Sequence, residues 1–142
     1  MKIWLLTAIL LFSLTGVVVS SVSLYHHYDK SESSFCDFGG KFNCDIVNRS
    51  IYSHVGPIPV ALIGILGYLS LAVMTQFCRK RSDGKTFLLG MAVVGLGFAL
   101  YLTYIEGFVL AAWCVLCLTS LALIFTITIL AATFALRANR SV

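Results

Sequence analysis

Val109-Leu-Ala-Ala-Trp-Cys-Val-Leu-Cys-Leu-Thr-Ser-Leu-Ala-Leu-Ile-Phe-Thr-Ile-Thr-Ile-Leu-Ala-Ala-Thr-Phe-Ala-Leu136 runs without a charged side chain from end to end. A helix needs about 20 apolar residues to cross a hydrocarbon layer of about 30 Å, and this stretch exceeds that. Three more such stretches precede it, at 3–24, 57–78 and 86–106, the last carrying Glu106 at its edge. Lipid gives a bare backbone nothing to hydrogen-bond with, so each is expected to be a helix. The expected fold is an all-α integral membrane protein with a single domain over 1–142. It is a four-transmembrane-helix bundle (3–24, 57–78, 86–106 and 109–136) with a large extracytoplasmic loop, 25–56, between helices one and two.

Composition agrees. Of 142 residues, 59% are hydrophobic and 11% charged, against about 45–50% and about 25% in soluble domains. That excludes an ordinary soluble enzyme, a disordered chain and a small disulfide scaffold with a polar shell. The net charge is +4, but the basic residues do not line one face of a polar domain. No nucleic-acid partner is expected, and membrane lipid is.

Charge placement orients the spans. Lys2, Arg79, Lys80, Arg81, Lys85, Arg137 and Arg140 fall at the N-terminus, the second connection and the C-terminus. The loop holds Lys30, Lys41 and Arg49, diluted by Asp29, Glu32, Asp37 and Asp45. Basic residues favour the cytoplasmic side, so both termini are expected there and the loop outside. The first run, with Met1-Lys2 before it and small residues at 20–23, also admits a cleaved signal peptide. Its length favours a retained helix, and cleavage would leave the loop on the same side.

This topology sorts the five cysteines. Cys36 and Cys44 lie in the outward loop, and Cys114 and Cys117 near the outer end of span four. Cys78 sits beside Arg79 on the side where thiols stay reduced. Cys114-Val-Leu-Cys117 puts two sulfurs on one helix face. At an opening helical turn the macrodipole is expected to stabilise a thiolate and make a labile, catalytic disulfide. Three plainer readings remain: half of a zinc site, two packing residues, and a static loop disulfide. The relay reading has a reduced outer protein attack a Cys36/Cys44 disulfide, and the loop dithiol then attack Cys114/Cys117. Ser31, Ser33, Ser34, Gly39 and Gly40 suit a mobile loop. With no nucleotide, haem or flavin motif in view, a lipid-dissolved quinone is the natural two-electron acceptor, and no metal is expected.

Three ordered features carry a resemblance: Cys36-Asp-Phe-Gly-Gly-Lys-Phe-Asn-Cys44; Cys44-Asp-Ile-Val-Asn-Arg-Ser50 with Gly56-Pro-Ile-Pro-Val-Ala-Leu-Ile-Gly64 and Gly67-Tyr68; and Trp113-Cys114-Val-Leu-Cys117. Together they resemble the vitamin K epoxide reductase family in its single-domain bacterial form. The resemblance implies a four-helix bundle around a quinone, with Cys114 and Cys117 as the active-site pair and Cys117 nearest the quinone. It makes Cys36 and Cys44 a shuttle taking electrons from a separate thioredoxin-fold dithiol protein, since this chain ends at Val142. Ser50 matches the family's loop Ser/Thr near the redox centre. Vertebrate members have a tyrosine where this chain has Leu121, and a helix-two asparagine that holds the substrate carbonyl where it has Val60. Both departures weigh against vitamin K epoxide as substrate. The Gly-Pro-Ile-Pro stretch points to a bacterial or archaeal cytoplasmic membrane.

Glu106, Tyr104 and Tyr101 are further quinone-contact candidates. Glu106 lies at a span's outer edge, where a solvated interfacial carboxylate is the expectation. Tyrosines there usually form an aromatic belt. Gly95 with Ala99, and Gly64 with Gly67, are expected to let helices approach closely. His26, His27 and His54 are expected to be solvated. The competing functions are a quinone-dependent thiol oxidoreductase supporting disulfide formation, a vitamin K epoxide or quinone reductase fuelled by thiols, a non-catalytic tetraspan protein with one loop disulfide, and a metal-handling membrane protein.

Overall fold

The computed structural model describes residues 2–29 and 39–140. Cys36 and the loop serines at 31, 33 and 34 lie outside the described residues. Helix α1 is Lys2–Tyr28, α2 Cys44–Asn48, α3 Val60–Lys80, α4 Lys85–Tyr104 and α5 Val115–Arg140. Two short strands, β1 (His54–Val55) and β2 (Ile58–Pro59), pair antiparallel. Four helices are long and apolar enough to span a membrane: α1, α3, α5, and α4 extended by a π-helical segment to Leu110.

The first, third and fourth spans run past their expected ends, to Tyr28, Leu110 and Arg140 rather than 24, 106 and 136, and two starts differ as well. The second span starts at Val60, not at 57, because 56–59 form a hairpin. Gly56 takes φ +64 at its turn, while Pro57 and Pro59 have no N–H to give a helix. The fourth span starts at Val115, not at 109. Residues 109–110 belong to the third span, and the chain reverses through 111–114 with Ala111 left-handed at φ +49. The turn is apolar and holds no Gly or Pro, so hydropathy runs straight across it.

The bundle is arranged around α1, which packs against both α3 and α5, while α4 leans on α5. The α3 and α4 helices, adjacent in sequence, touch each other far less. Leu6, Ile9, Leu71, Leu88, Ile127 and Phe134 form the core. Helices in lipid associate through close packing rather than expulsion of water. Gly16 shows this most sharply: a Cβ there would collide with the Tyr68 ring. The Tyr68 hydroxyl donates to the Ser120 carbonyl at 2.9 Å, tying α3 to α5. Gly95 faces Ile124 and Gly64 faces Ser20, as close-packing positions. Gly67 meets open space, so the paired role expected of it with Gly64 is not what it does.

The two ends of the bundle differ. At one end Arg79 Nη2 donates to Thr7 Oγ1 at 2.9 Å, and the Lys2 ammonium lies 5.9 Å from the Phe134 ring centroid. Those contacts gather the start of α1, the end of α3 and the last turns of α5. Cys78 is buried there, close to Gly84 and Met74. At the other end His27 Nδ1 donates to the Asn48 carbonyl at 2.6 Å, and its ring lies 4.5 Å from that of His54. His27 is therefore a structural contact between α1 and α2 rather than a solvated loop residue.

Candidate active site

Backbone hydrogen bonds tie residues 41–43 to the turn before α5. Gly39 and Gly40 take φ +82 and +66, a left-handed pair that folds the segment back. The Trp113 N–H then donates to the Lys41 carbonyl at 2.7 Å, and the Asn43 N–H to the Trp113 carbonyl at 3.1 Å. This parallel bridge pairs Phe42 with Trp113. Asn43 next caps α2, its Oδ1 accepting from the N–H groups of Asp45 at 2.9 Å and Ile46 at 3.3 Å. An Asn directly before Cys44-Asp45 is a readable cap signal. The bridge to residue 113 has none, because backbone pairing between distant segments leaves no side-chain trace.

The bridge brings Cys44 beside Cys114. Both are buried, and they share a small cluster with Val47 and Ala112. The Cys114 side chain is in hydrogen-bond contact with both Cys44 and Cys117. Cys117 in turn contacts the Glu106 carboxyl. Sulfur thus follows sulfur from α2 to α5, with Cys114 in the middle. The lowered thiol pKa expected at the helix terminus is not found at Cys114. Its hydrogen bond with Cys117, with burial adding to it, pushes that thiol up, against the pull of Cys44.

Glu106 departs most from expectation. It is 2% exposed rather than solvated. The π-helical segment is the reason: a wider turn shifts the register of α4 and swings residue 106 inward. Its carbonyl accepts the Ala112 N–H at 3.1 Å, and its Oε2 accepts the Cys114 N–H at 3.2 Å. Gly107, its neighbour, leaves room for the Trp113 ring, which a Cβ would meet at 3.0 Å. The sequence hint lay in Glu106-Gly107 falling eight residues before Cys114, which a span-edge reading ignores.

Below the sulfurs lies a cavity of about 1140 Å³, bounded mainly by α3 and α4. Cys117, Glu106 and Ser50 line it; Cys114 and Cys44 do not. Apolar walls dominate, among them Ile63, Leu66, Val94 and Phe98.

The extent of sequence similarity settles the lineage, since residues 7–132 match the Vitamin K epoxide reductase family. The chain belongs to that family. The match spans all four membrane helices and includes both cysteine pairs. No curated protein matches it. As a family member it is a membrane oxidoreductase.

Set in the vitamin K epoxide reductase frame, the quinone-contact candidates separate. Ser50 lines the cavity and donates to the Val47 carbonyl at 2.8 Å. Tyr104 is 59% exposed, its ring 4.9 Å from that of Phe108, and it does not line the cavity. Val60 lines the cavity with no polar atom to offer. A polar group comes instead from Asn48, which the sequence reading passed over. Its Oδ1 accepts from Ser23 Oγ at 3.2 Å, while Nδ2 is buried with no partner among the described residues.

Proposed function

We propose that the protein carries electrons from an extracytoplasmic dithiol protein through Cys36 and Cys44 to Cys114 and Cys117, and on to a quinone, supporting disulfide formation outside the cytoplasm. One observation carries the reading: Cys44, Cys114 and Cys117 are in sequential contact, and Cys117 alone of the three lines the large apolar cavity. Thiol–disulfide exchange needs sulfurs in line and in contact.

A quinone fits the cavity on physical grounds. The volume, about 1140 Å³, suffices for a ring and part of an apolar tail. The walls are apolar, and buried Asn48 Nδ2, which has no partner, is a ready donor to a carbonyl oxygen. A quinone bound there supplies an acceptor for two electrons and two protons. The chain does the rest. A partner's thiolate attacks the loop disulfide through a mixed disulfide, and the released Cys44 thiolate attacks Cys114. Cys117 becomes the cavity-facing thiol, and the apolar walls exclude water from it. The partner is a separate thioredoxin-fold protein. The positive-inside rule places the bundle end with Arg79 and Arg137 in the cytoplasm, in a bacterial or archaeal cytoplasmic membrane.

The test is quinone reduction in detergent, driven by dithiothreitol or by a reduced thioredoxin-fold protein. Wild type is expected to reduce the quinone, and Cys117→Ala to abolish the reaction with either donor. Cys36→Ala is expected to lose only the protein-driven reaction. Undiminished turnover in Cys117→Ala, or none in wild type with several quinones, overturns the reading.

A further inference from the structure

Glu106 is a carboxyl at membrane depth where an amide would do the same structural work. Its Oε2 accepts the Cys114 N–H, a bond that a glutamine carbonyl makes equally well. Its Oε1 is buried without a partner among the described residues. Among the described residues no Lys or Arg bonds it, and the titratable side chains facing it are Cys117 and, beyond that, Cys114 and Cys44. A full charge buried without a counter-ion is costly. A proton on the carboxyl removes that cost, and the nearest group able to exchange one is the Cys117 thiol. Burial, a fixed Oε2, an unpartnered Oε1 and contact with a reactive sulfur are what a proton donor requires, and a mere cap does not.

We propose that Glu106 is the general acid for Cys117 as leaving group when the Cys114–Cys117 disulfide is reduced. The step rests on the thiol relay above. The Cys44 thiolate attacks Cys114 Sγ, and a Cys44–Cys114 bond forms as the Cys114–Cys117 bond breaks. The electron pair of the broken bond goes to Cys117 Sγ. That sulfur takes the Glu106 proton, so an S–H bond forms as an O–H bond breaks and the carboxylate remains. In this structure no Cys114–Cys117 disulfide is formed, and Cys117 is a thiol in contact with the carboxyl, the pairing that the step leaves at Cys117. The Cys36 thiolate then attacks Cys44 Sγ, so that the Cys44–Cys114 bond breaks and its electron pair goes to Cys114 Sγ. When the Cys114–Cys117 disulfide re-forms, the Cys117 proton returns to Glu106, and a bound quinone would take the two electrons with two protons from water.

The test needs no quinone. Oxidised protein in detergent is mixed with dithiothreitol, quenched in acid, and the thiol of Cys117 is followed by alkylation and peptide mass spectrometry. Glu106→Gln is expected to slow its appearance about 100-fold, the usual worth of a positioned acid. The solvent deuterium isotope effect of wild type is expected to vanish in the same variant. Glu106→Asp, with a shorter reach, is expected to recover part of the rate and keep the isotope effect, and it serves alone if Glu106→Gln does not fold. A Glu106→Gln rate within threefold of wild type overturns the proposal. So does a slow Glu106→Gln that keeps the wild-type isotope effect, which marks a structural role. Wild-type quinone turnover is read in parallel. If reduction of the disulfide depends on Glu106 but no quinone is reduced, the functional reading fails and the acid role stands.

Discussion

Cys78 and Cys114 are equally buried, each with no exposed surface, yet they occupy opposite ends of the bundle and opposite chemical settings. Around Cys78 the helices are regular, and its sulfur lies against Gly84, which Met74 and Phe77 also crowd. Around Cys114 the regular structure gives way to a π-helical segment, a left-handed alanine and a backbone bridge, and the sulfur meets two other sulfurs. Burial alone therefore says nothing about thiol chemistry. What separates the two ends is departure from regular helix, which frees backbone and turns side chains toward one another.

The strongest test of that contrast pairs one substitution from each end. Cys117→Ala is expected to drop dithiothreitol-driven quinone reduction to background. Cys78→Ala is expected to leave it within about twofold while costing roughly 1 kcal/mol of stability, as a small core truncation does. Detergent unfolding midpoints and turnover, measured on both, give the result. Equal losses of activity would erase the distinction between the ends.

Gly16→Ala probes the tightly packed bundle centre. The added methyl collides with the Tyr68 ring, so a destabilisation of roughly 1–3 kcal/mol is expected. Unchanged thermal stability would show that α1 and α3 can separate without penalty.

Asn48→Leu sharpens the reading of the cavity. It removes the unpartnered donor, and quinone affinity is expected to fall roughly tenfold, about 1–1.5 kcal/mol for one hydrogen bond. Reduction of Cys114–Cys117 by dithiothreitol is expected to stay unchanged. Titration of the protein with quinone separates the two quantities.

Smallest is Asn43→Ala, which deletes the cap of α2 and costs about 1 kcal/mol locally. Cys44 then dwells less beside Cys114, and exchange between them is expected to slow a few-fold. Rapid-quench alkylation of Cys44 reads that rate, and an unchanged rate would mean the backbone bridge suffices alone.

Charge-free length made the four spans legible, since nothing but a helix satisfies the backbone in lipid. Cysteine spacing and the basic residues beside Cys78 separated that cysteine from the other three in the described structure. What hydropathy could not carry was the irregular geometry. Apolar residues 109–113 look like helix, and only the left-handed Ala111 and the bridge at Trp113 end it. Glu106 read as an edge residue because a linear span assumes uniform pitch, and one wide turn placed it inside. Asn48 was hidden differently: its significance is a missing partner, which exists only once Ser23 has claimed the other end of the amide.

The bridge between residues 41–43 and Trp113 is made of peptide groups, not side chains. On the proposed relay, recognition of a donor protein and alignment of the sulfurs are therefore written in separate alphabets. The side chains of Lys41 and Phe42 are free to drift toward whatever surface must be recognised. The backbone bonds that set Cys44 beside Cys114 do not change while they do.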